Sequence, residues 1–322
     1  MARPAKPTAG VIGLGIIGSR VVNTLRAGGY QVWLWNRSPR PEPNFLSSPL
    51  EVAESAKHIQ IFVSDGAALL SVVNAMAPAL TPAHVIMNHA TVSPSETRQA
   101  AEIVGQAHAR FLDAPFTGSR DSAERGELTY YIGGDPAVLA EVRPLLTCSS
   151  KSILEIGDIG QASVVKVATN LLSASMVEAM AEAQALLSQN GVELRKFAEA
   201  LQTNASHSAL ADMKIPCMLS GDFEPRFSLK HMFKDVQIAL NLAAEGKMDL
   251  PVASAFAGAA MAGIQQGWGD SDFSVISRFY GFPGQGHPLP GVAAETQSKN
   301  HPSAPSAQPQ GRKGWSLFGA KS

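Results

Sequence analysis

Cysteine is scarce in this chain: Cys148 and Cys217 are the only two in 322 residues. Two thiols cannot build a disulfide framework, and a reducing compartment, the cytoplasm, is expected. Charge of either sign is not in excess. Lys and Arg number 26 against 27 Asp and Glu, a formal net charge of -1. With no global basic field, nucleic acid is excluded as an expected partner. Long hydrophobic runs are missing as well. The apolar stretch from Val11 to Val22 is broken by Gly13, Gly15, Gly18, Ser19 and Arg20, and Val252–Ile264 is too short to span a bilayer. No membrane partner is expected. The first ten residues, MARPAKPTAG, hold no apolar signal-peptide core. The eight histidines show neither HxxxH nor HExxH spacing, so no metal site is expected. Nothing in the spacing suggests a Ser–His–Asp triad.

What remains is an ordinary globular composition, 45% hydrophobic with a mean hydropathy of +0.02. Its length suits about two domains. The first half alternates short strand-like runs with helical patterns. Strands are predicted at Ala9–Ile12, Gln31–Trp35, His58–Val63, Val85–Asn88, Arg110–Asp113, Thr129–Ile132 and Ser152–Ile156. A helix is predicted over Ile16–Ala27. Alternation of this kind builds a mostly parallel sheet covered on both faces. Near Gly160 the pattern changes. Ser163–Gln189 contains neither Pro nor Gly and reads as one long helix, followed by helical patterns at Val192–Gln202, Ser228–Glu245 and Val252–Gln266. The predicted fold class is therefore α/β, a Rossmann-type domain over residues 8–160. An all-α domain over 161–284 follows it, joined by the long interdomain helix. Residues 285–322 are rich in Pro, Gly, Ser, Gln and Ala and are expected to form a tail.

The first strand runs into Gly13-Leu14-Gly15-Ile16-Ile17-Gly18. A glycine motif between a strand and a helix, with a further strand after it, is the context of a dinucleotide site. The first glycine turns the chain, the second admits a pyrophosphate and the third lets helix and strand pack closely. Free N–H groups at the helix start then hold phosphate. The second strand ends in Asn36-Arg37-Ser38, without the acidic residue that holds a ribose 2′-hydroxyl. Arg37, with Arg40 nearby, is suited to a 2′-phosphate instead, so NADP(H) is favoured over NAD(H).

Two further strand exits, Asn88-His89-Ala90-Thr91-Val92-Ser93-Pro94 and Asp113-Ala114-Pro115-Phe116-Thr117-Gly118-Ser119, lie where such sheets bind ligands. Each reads equally well as an ordinary loop. Lys166, Asn170 and Ser173 share one face of the long helix. Such a stripe is either a solvent face or a functional one. Lys166 favours the second, because it is the only Lys or Arg between Gly157 and Gly191. An isolated ammonium on an apolar helix suits a proton donor.

On these residues the chain resembles the β-hydroxyacid dehydrogenase family. The resemblance rests on the glycine motif, Asp113-Ala114-Pro115-Phe116-Thr117-Gly118, Gly160-Gln161-Ala162 with Lys166 and Asn170, and Lys234-Asp235. It extends to the glyoxylate/succinic semialdehyde reductase branch through Gly118-Ser119-Arg120, Glu124 to Leu128, Phe227-Ser228-Leu229-Lys230-His231, and Gly269 to Ser274. The resemblance implies a catalytic role for Lys166. It implies substrate-binding positions at Thr91, Thr117, Gly118, Asn170, Phe227 and Asp235. Cofactor-binding positions follow at Gly13, Leu14, Gly15, Ile16, Ile17, Gly18, Asn36, Arg37, Ser38, Thr91 and Lys234. The family usually has Asp and Ser where this chain has Asn88 and Ala90, a second glycine at Ser119 and a smaller Val at Phe116.

The expected activity is NADPH-dependent reduction of a short aldehyde acid, of the glyoxylate or succinic semialdehyde class, with Lys166 as general acid. A 3-hydroxyisobutyrate or 2-hydroxy-3-oxopropionate dehydrogenase is the alternative. A non-catalytic cofactor-binding or docking protein is a second one. The resemblance also implies a homodimer or higher oligomer. The tail segment Trp315–Phe318 is either an unstructured end or a docking peptide.

Overall fold

The structure is a computed structural model that describes residues 6–281. The tail and its Trp315–Phe318 segment lie outside the described residues. The N-terminal part alternates as expected: β1 (Thr8–Ile12), α1 (Gly18–Ala27), β2 (Gln31–Trp35), α2 (Pro49–Ser55), β3 (His58–Ile61), α3 (Gly66–Met76), β4 (Val85–Asn88), α4 (Pro94–Gln106) and β5 (Arg110–Asp113). Then come β6 (Phe116–Thr117), α5 (Arg120–Glu124), β7 (Leu128–Gly133), α6 (Pro136–Thr147) and β8 (Ser150–Gly157). The helices start where short polar side chains can accept the free N–H groups of a first turn. Ser48 caps α2, Asp65 caps α3 and Asp135 caps α6. Ser93 and Glu96 cap each other's backbone at the start of α4.

Strands β2, β1, β3, β4 and β5 lie side by side in that order, all parallel. The chain steps outward from β1 to β2, then returns to the far side of β1 with β3. The crevice at the C-terminal ends of β1 and β3 is thus the topological switch point, where such sheets bind ligands. Strand β7 runs antiparallel to β5 and β6, and β8 pairs parallel to β7 at the edge. Each face of the sheet carries its own apolar core. Val11, Leu34, Leu112 and Tyr130 join residues of α1 and α6 on one side. Ile12, Ile59 and Ile86 join residues of α2, α3 and α4 on the other.

From α7 (Gln161–Gln189) onward the described structure is helical. Helices α8 (Leu194–Gln202), α9 (Ala209–Ser220), α10 (Leu229–Glu245) and α11 (Pro251–Gln265) follow, with a 3₁₀ segment at Phe273–Tyr280. Helix α7 is long and apolar enough, by length and composition alone, to cross a membrane. Its partners explain that character. It meets β5, β7, β8 and α4 near its start, and α8, α9, α10, α11 and the 3₁₀ segment along its length. Its apolar residues serve as a hub of packing.

Three details differ from the sequence reading. The third strand stops at Ile61 rather than Val63; Phe62 N still donates to Ile12 O of β1 at 2.7 Å, and the regular pairing ends there. Helix α9 was not anticipated, since Lys214 and Pro216 interrupt its apolar pattern, yet Lys214 is buried and Pro216 is accommodated within the helix. The two-residue strand β6 is too short to carry a period.

Candidate active site

At the end of β1 the backbone of Gly13 adopts φ +96°, and a Cβ there would lie 2.0 Å from Phe62 O. A Cβ on Gly18 would lie 2.0 Å from Gly13 O. Both positions therefore require glycine for close packing. At Gly15 a Cβ would meet nothing within 4 Å, so this backbone faces open space. No side chain caps α1 and no acidic residue occupies its first turn. Uncapped N–H groups beside an open glycine backbone fit a diphosphate.

The second strand reaches this loop through Asn36. Its Oδ1 accepts from Leu14 N at 2.9 Å, and its Nδ2 donates to Ser38 O at 2.9 Å. Asn36 thus holds the loop and shapes the turn, and Arg37 and Ser38 are left exposed. Leu14 is itself buried and offers the crevice only backbone. Asp65 reports what else faces this point. Its carboxyl is held below the ordinary range, first by the Ser64 hydroxyl and the Ala68 N–H, and then by the charges of Lys234 and Arg37. Arg37 from the end of β2 and Lys234 from α10 thus both act on Asp65 through their charge.

A continuous polar chain crosses from the helices to the sheet. Lys166 Nζ donates to Asn170 Oδ1 at 2.9 Å, one turn along α7. Asn170 Nδ2 donates to Asp235 Oδ2 of α10 at 2.6 Å. Asp235 Oδ1 lies 2.7 Å from Lys234 Nζ, which also donates to Thr91 O beyond β4. Asp235 is 1% exposed and Asn170 is 8% exposed, so the bond between them is shielded from water, whereas Lys166 and Lys234 are half-buried. Burial lowers the Lys166 pKa to about 8. The Asp235 charge opposes that shift and the Lys234 charge adds to it. An ammonium tuned this close to neutrality is an effective general acid.

The loop after β5 forms another wall. Gly118 has φ +140° and a Cβ there would lie 2.8 Å from Leu128 Cδ2. Thr117 and Gly118 are exposed, and the Ser119 hydroxyl caps α5. Arg120 pairs with Glu224 at 3.6 Å, which joins this loop to the segment before Phe227. Phe227 packs edge-on against Phe273, with ring centroids 6.3 Å apart. Lys166, Asn170, Asp235, Lys234 and Thr91 are thus joined directly. Thr117 and Gly118 stand apart from that chain, as does Phe227, and only the exposed Arg120–Glu224 pair links their two segments among the described contacts.

Several contacts here join segments far apart in the sequence. His89 is stacked on Phe62 at 4.5 Å, and its Nδ1 donates to Ala114 O at 2.6 Å. Burial lowers its pKa to about 4, so it is neutral and braces the loop. Lys214 and Asp272 form a buried ion pair at 2.7 Å, and Asp272 Oδ2 also accepts from the N–H of Arg226 and Phe227. That pair holds Phe227 in place. Neither contact had a signal in the sequence, since both join segments distant along the chain. Among the described residues no group of three His, Cys, Asp or Glu side chains could hold a metal.

Comparison with known proteins bears on this geometry. Residues 8–157 match the family described as the NAD binding domain of 6-phosphogluconate dehydrogenase. Residues 160–280 match the NAD-binding domain of NADP-dependent 3-hydroxyisobutyrate dehydrogenase. Glyoxylate/succinic semialdehyde reductase 1 of Arabidopsis thaliana is 28% identical over 277 residues, which are 83% of this chain and 96% of that one. The 2-hydroxy-3-oxopropionate reductase of Escherichia coli is 28% identical over 251 residues, 75% of this chain and 86% of that one. Among solved structures, 3-hydroxyisobutyrate dehydrogenase of Mycobacterium tuberculosis with L-serine shares the fold at a TM-score of 0.78. It is 23% identical, and the match covers 85% of this chain and 98% of that one. The chain belongs to the β-hydroxyacid dehydrogenase family and is an NAD(P)-dependent oxidoreductase acting on hydroxyl or aldehyde groups.

Proposed function

We propose that this dehydrogenase reduces a short aldehyde acid, of the glyoxylate or succinic semialdehyde class, to the hydroxyacid with NADPH. The observation that carries the reading is the polar chain from Lys166 through Asn170, Asp235 and Lys234 to the Thr91 carbonyl. It fixes one ammonium, with a pKa of about 8, against the ligand-binding edge of the sheet. The names of two Arabidopsis thaliana relatives, both glyoxylate/succinic semialdehyde reductases, support the substrate class.

The residues divide the work as follows. Gly13, Gly15 and Gly18, with the backbone of Leu14, Ile16 and Ile17, form the cradle for the dinucleotide diphosphate. Arg37, flanked by Asn36 and Ser38 where no carboxylate stands, receives the 2′-phosphate. Lys234 and Thr91 border the nicotinamide end. When bound, the nicotinamide supplies the hydride that the carbonyl carbon takes up. The Thr117–Gly118 backbone and Thr91 hold the substrate carboxylate, and Phe227 closes the apolar side. As negative charge gathers on the carbonyl oxygen, Lys166 stabilises it and donates its proton. Asn170 and Asp235 keep the ammonium aimed at that oxygen.

An oligomer accompanies this reading. Leu172 and Leu186 on α7 are 61% and 63% exposed, and α8 buries no residue. An apolar groove of about 400 Å³, lined by Met176, Met180, Phe197 and Leu201, runs between α7 and α8. A second copy of the chain would cover such a surface. Light scattering on the purified protein tests this. The free thiols of Cys148 and Cys217 suit the cytoplasm.

The direct test is NADPH oxidation by the purified protein with succinic semialdehyde and with glyoxylate, and NADH in parallel. Turnover with NADPH, and slower turnover with NADH, is expected. Cofactor binding without turnover on either aldehyde would overturn the substrate assignment.

A further inference from the structure

Asp113 ends strand β5 and is fully buried. Its Oδ2 accepts from Gly160 N at 3.0 Å and from Ser163 N at 2.9 Å, and its Oδ1 accepts from Ser163 Oγ at 2.8 Å. The Ser163 hydroxyl also meets Thr97 Oγ1 of α4 at 3.0 Å. These donors belong to the first turn of α7. A strand of the sheet thus supplies the N-terminal cap of the helix that carries Lys166.

The carboxylate has no Lys, Arg or His partner among the described ion pairs. Its charge rests on two backbone N–H groups, one hydroxyl and the positive end of a helix. Burial pushes its carboxyl up to about 6, against the pull of those donors. A buried carboxylate without a cation is a costly way to join two elements that apolar side chains join more cheaply. What it supplies is direction. Four residues after Asp113 comes Thr117, and three residues after Ser163 comes Lys166, on the same helix face as Ser163. One side chain therefore sits at the root of both the loop assigned to the substrate carboxylate and the turn that bears the proton donor.

We infer that Asp113 is a positioning residue: it holds the ammonium of Lys166 at a fixed separation from the Thr117–Gly118 loop, so that an aldehyde acid bound by its carboxylate presents its carbonyl oxygen to the donor. The inference rests on the role proposed for Lys166. A displacement of about 1 Å in such an arrangement costs roughly 100-fold in rate. Loss of the cap should therefore appear in kcat and leave the dinucleotide cradle untouched.

The experiment uses the full chain with Asp113→Asn, which keeps the size but points an amide at hydrogen-bond donors. With succinic semialdehyde, kcat is expected to fall by roughly 100-fold. The Kd for NADPH should stay within about twofold, as no contact of the glycine loop changes. The primary deuterium isotope effect, measured with NADPH deuterated at the transferred position, should rise as the chemical step becomes limiting. A merely structural cap would lower the melting temperature and leave both kcat and the isotope effect as in the wild type, and that result overturns the inference. Should Asp113→Asn fail to fold, Ser163→Ala decides. It removes one donor and keeps both backbone bonds, so a loss of about 3- to 10-fold in kcat is expected as part of the same misplacement, and an unchanged kcat overturns the inference. Lys166→Met separates the two readings. Wild-type turnover in that variant sinks the Lys166 role itself, whereas an inactive Lys166→Met beside a fully active Asp113→Asn sinks only the positioning role.

Discussion

Asn170 on α7 donates to Asp235 on α10 at 2.6 Å, and the same amide accepts from Lys166 at 2.9 Å. One side chain thus couples a buried carboxylate to a half-buried ammonium, with no ion pair between the two. Burial, helped by the Lys234 charge, drives Lys166 toward neutrality, and Asp235 restrains that drift. The proposed reduction needs the protonated amine.

It follows that aldehyde reduction declines as pH rises through about 8. Asp235→Asn removes the charge that holds the Lys166 pKa up. The declining limb of the kcat profile is then expected to move to lower pH. A profile of kcat against pH for both proteins checks this. A limb that stays in place in the variant would contradict the coupling.

The glycine loop offers a contrast within one motif. Gly15→Ala adds a methyl that meets nothing within 4 Å, so the fold should keep its melting temperature. The methyl would project into the space assigned to the diphosphate, and the Kd for NADPH is expected to rise about tenfold or more. Gly13→Ala forces a Cβ to 2.0 Å from Phe62 O at a positive φ, and should lose stability as well as binding. Isothermal titration and thermal melts on the two variants separate these effects.

Much of this was legible in the sequence because its signals are local. The period of β1 and β2, the glycines between them and the single Lys of a long apolar helix all lie within short windows. The polar chain through Asp235 could be placed only by resemblance, since Asn170 and Asp235 are 65 residues apart and meet through helix packing. Asp113 stood inside a motif already singled out, yet nothing local reveals that its partners are Gly160 and Ser163. Lys214 shows the reverse case. A lysine inside an apolar stretch hides the helix that carries it, and only Asp272, 58 residues later, turns it inward.

That buried pair makes its own prediction. Lys214 is 2% exposed and Asp272 is fully buried. Lys214→Met leaves Asp272 buried without its cation, which costs about 3–5 kcal/mol. Urea unfolding should show a lower midpoint, and Phe227, whose N–H bonds to Asp272, should be less firmly held, raising KM for the aldehyde acid. A midpoint equal to that of the wild type would contradict the assignment.

Cofactor choice depends on one exposed side chain. Arg37 is exposed at the end of β2, so Arg37→Ala should leave the melting temperature unchanged. Loss of its charge is expected to lower kcat/KM for NADPH by about tenfold or more while leaving that for NADH nearly unchanged. Parallel steady-state assays with the two nucleotides check it, and an unchanged ratio would place the 2′-phosphate elsewhere.

The central claim is that Lys166 delivers the proton to an aldehyde acid reduced with NADPH. The most direct measurement sets wild type beside Lys166→Met, with turnover of succinic semialdehyde and the Kd for NADPH determined on the same preparations. The account predicts a wild type that turns over, and a variant that binds NADPH within about twofold of it but reduces the substrate roughly 1,000-fold more slowly. Equal turnover in the two proteins would contradict it.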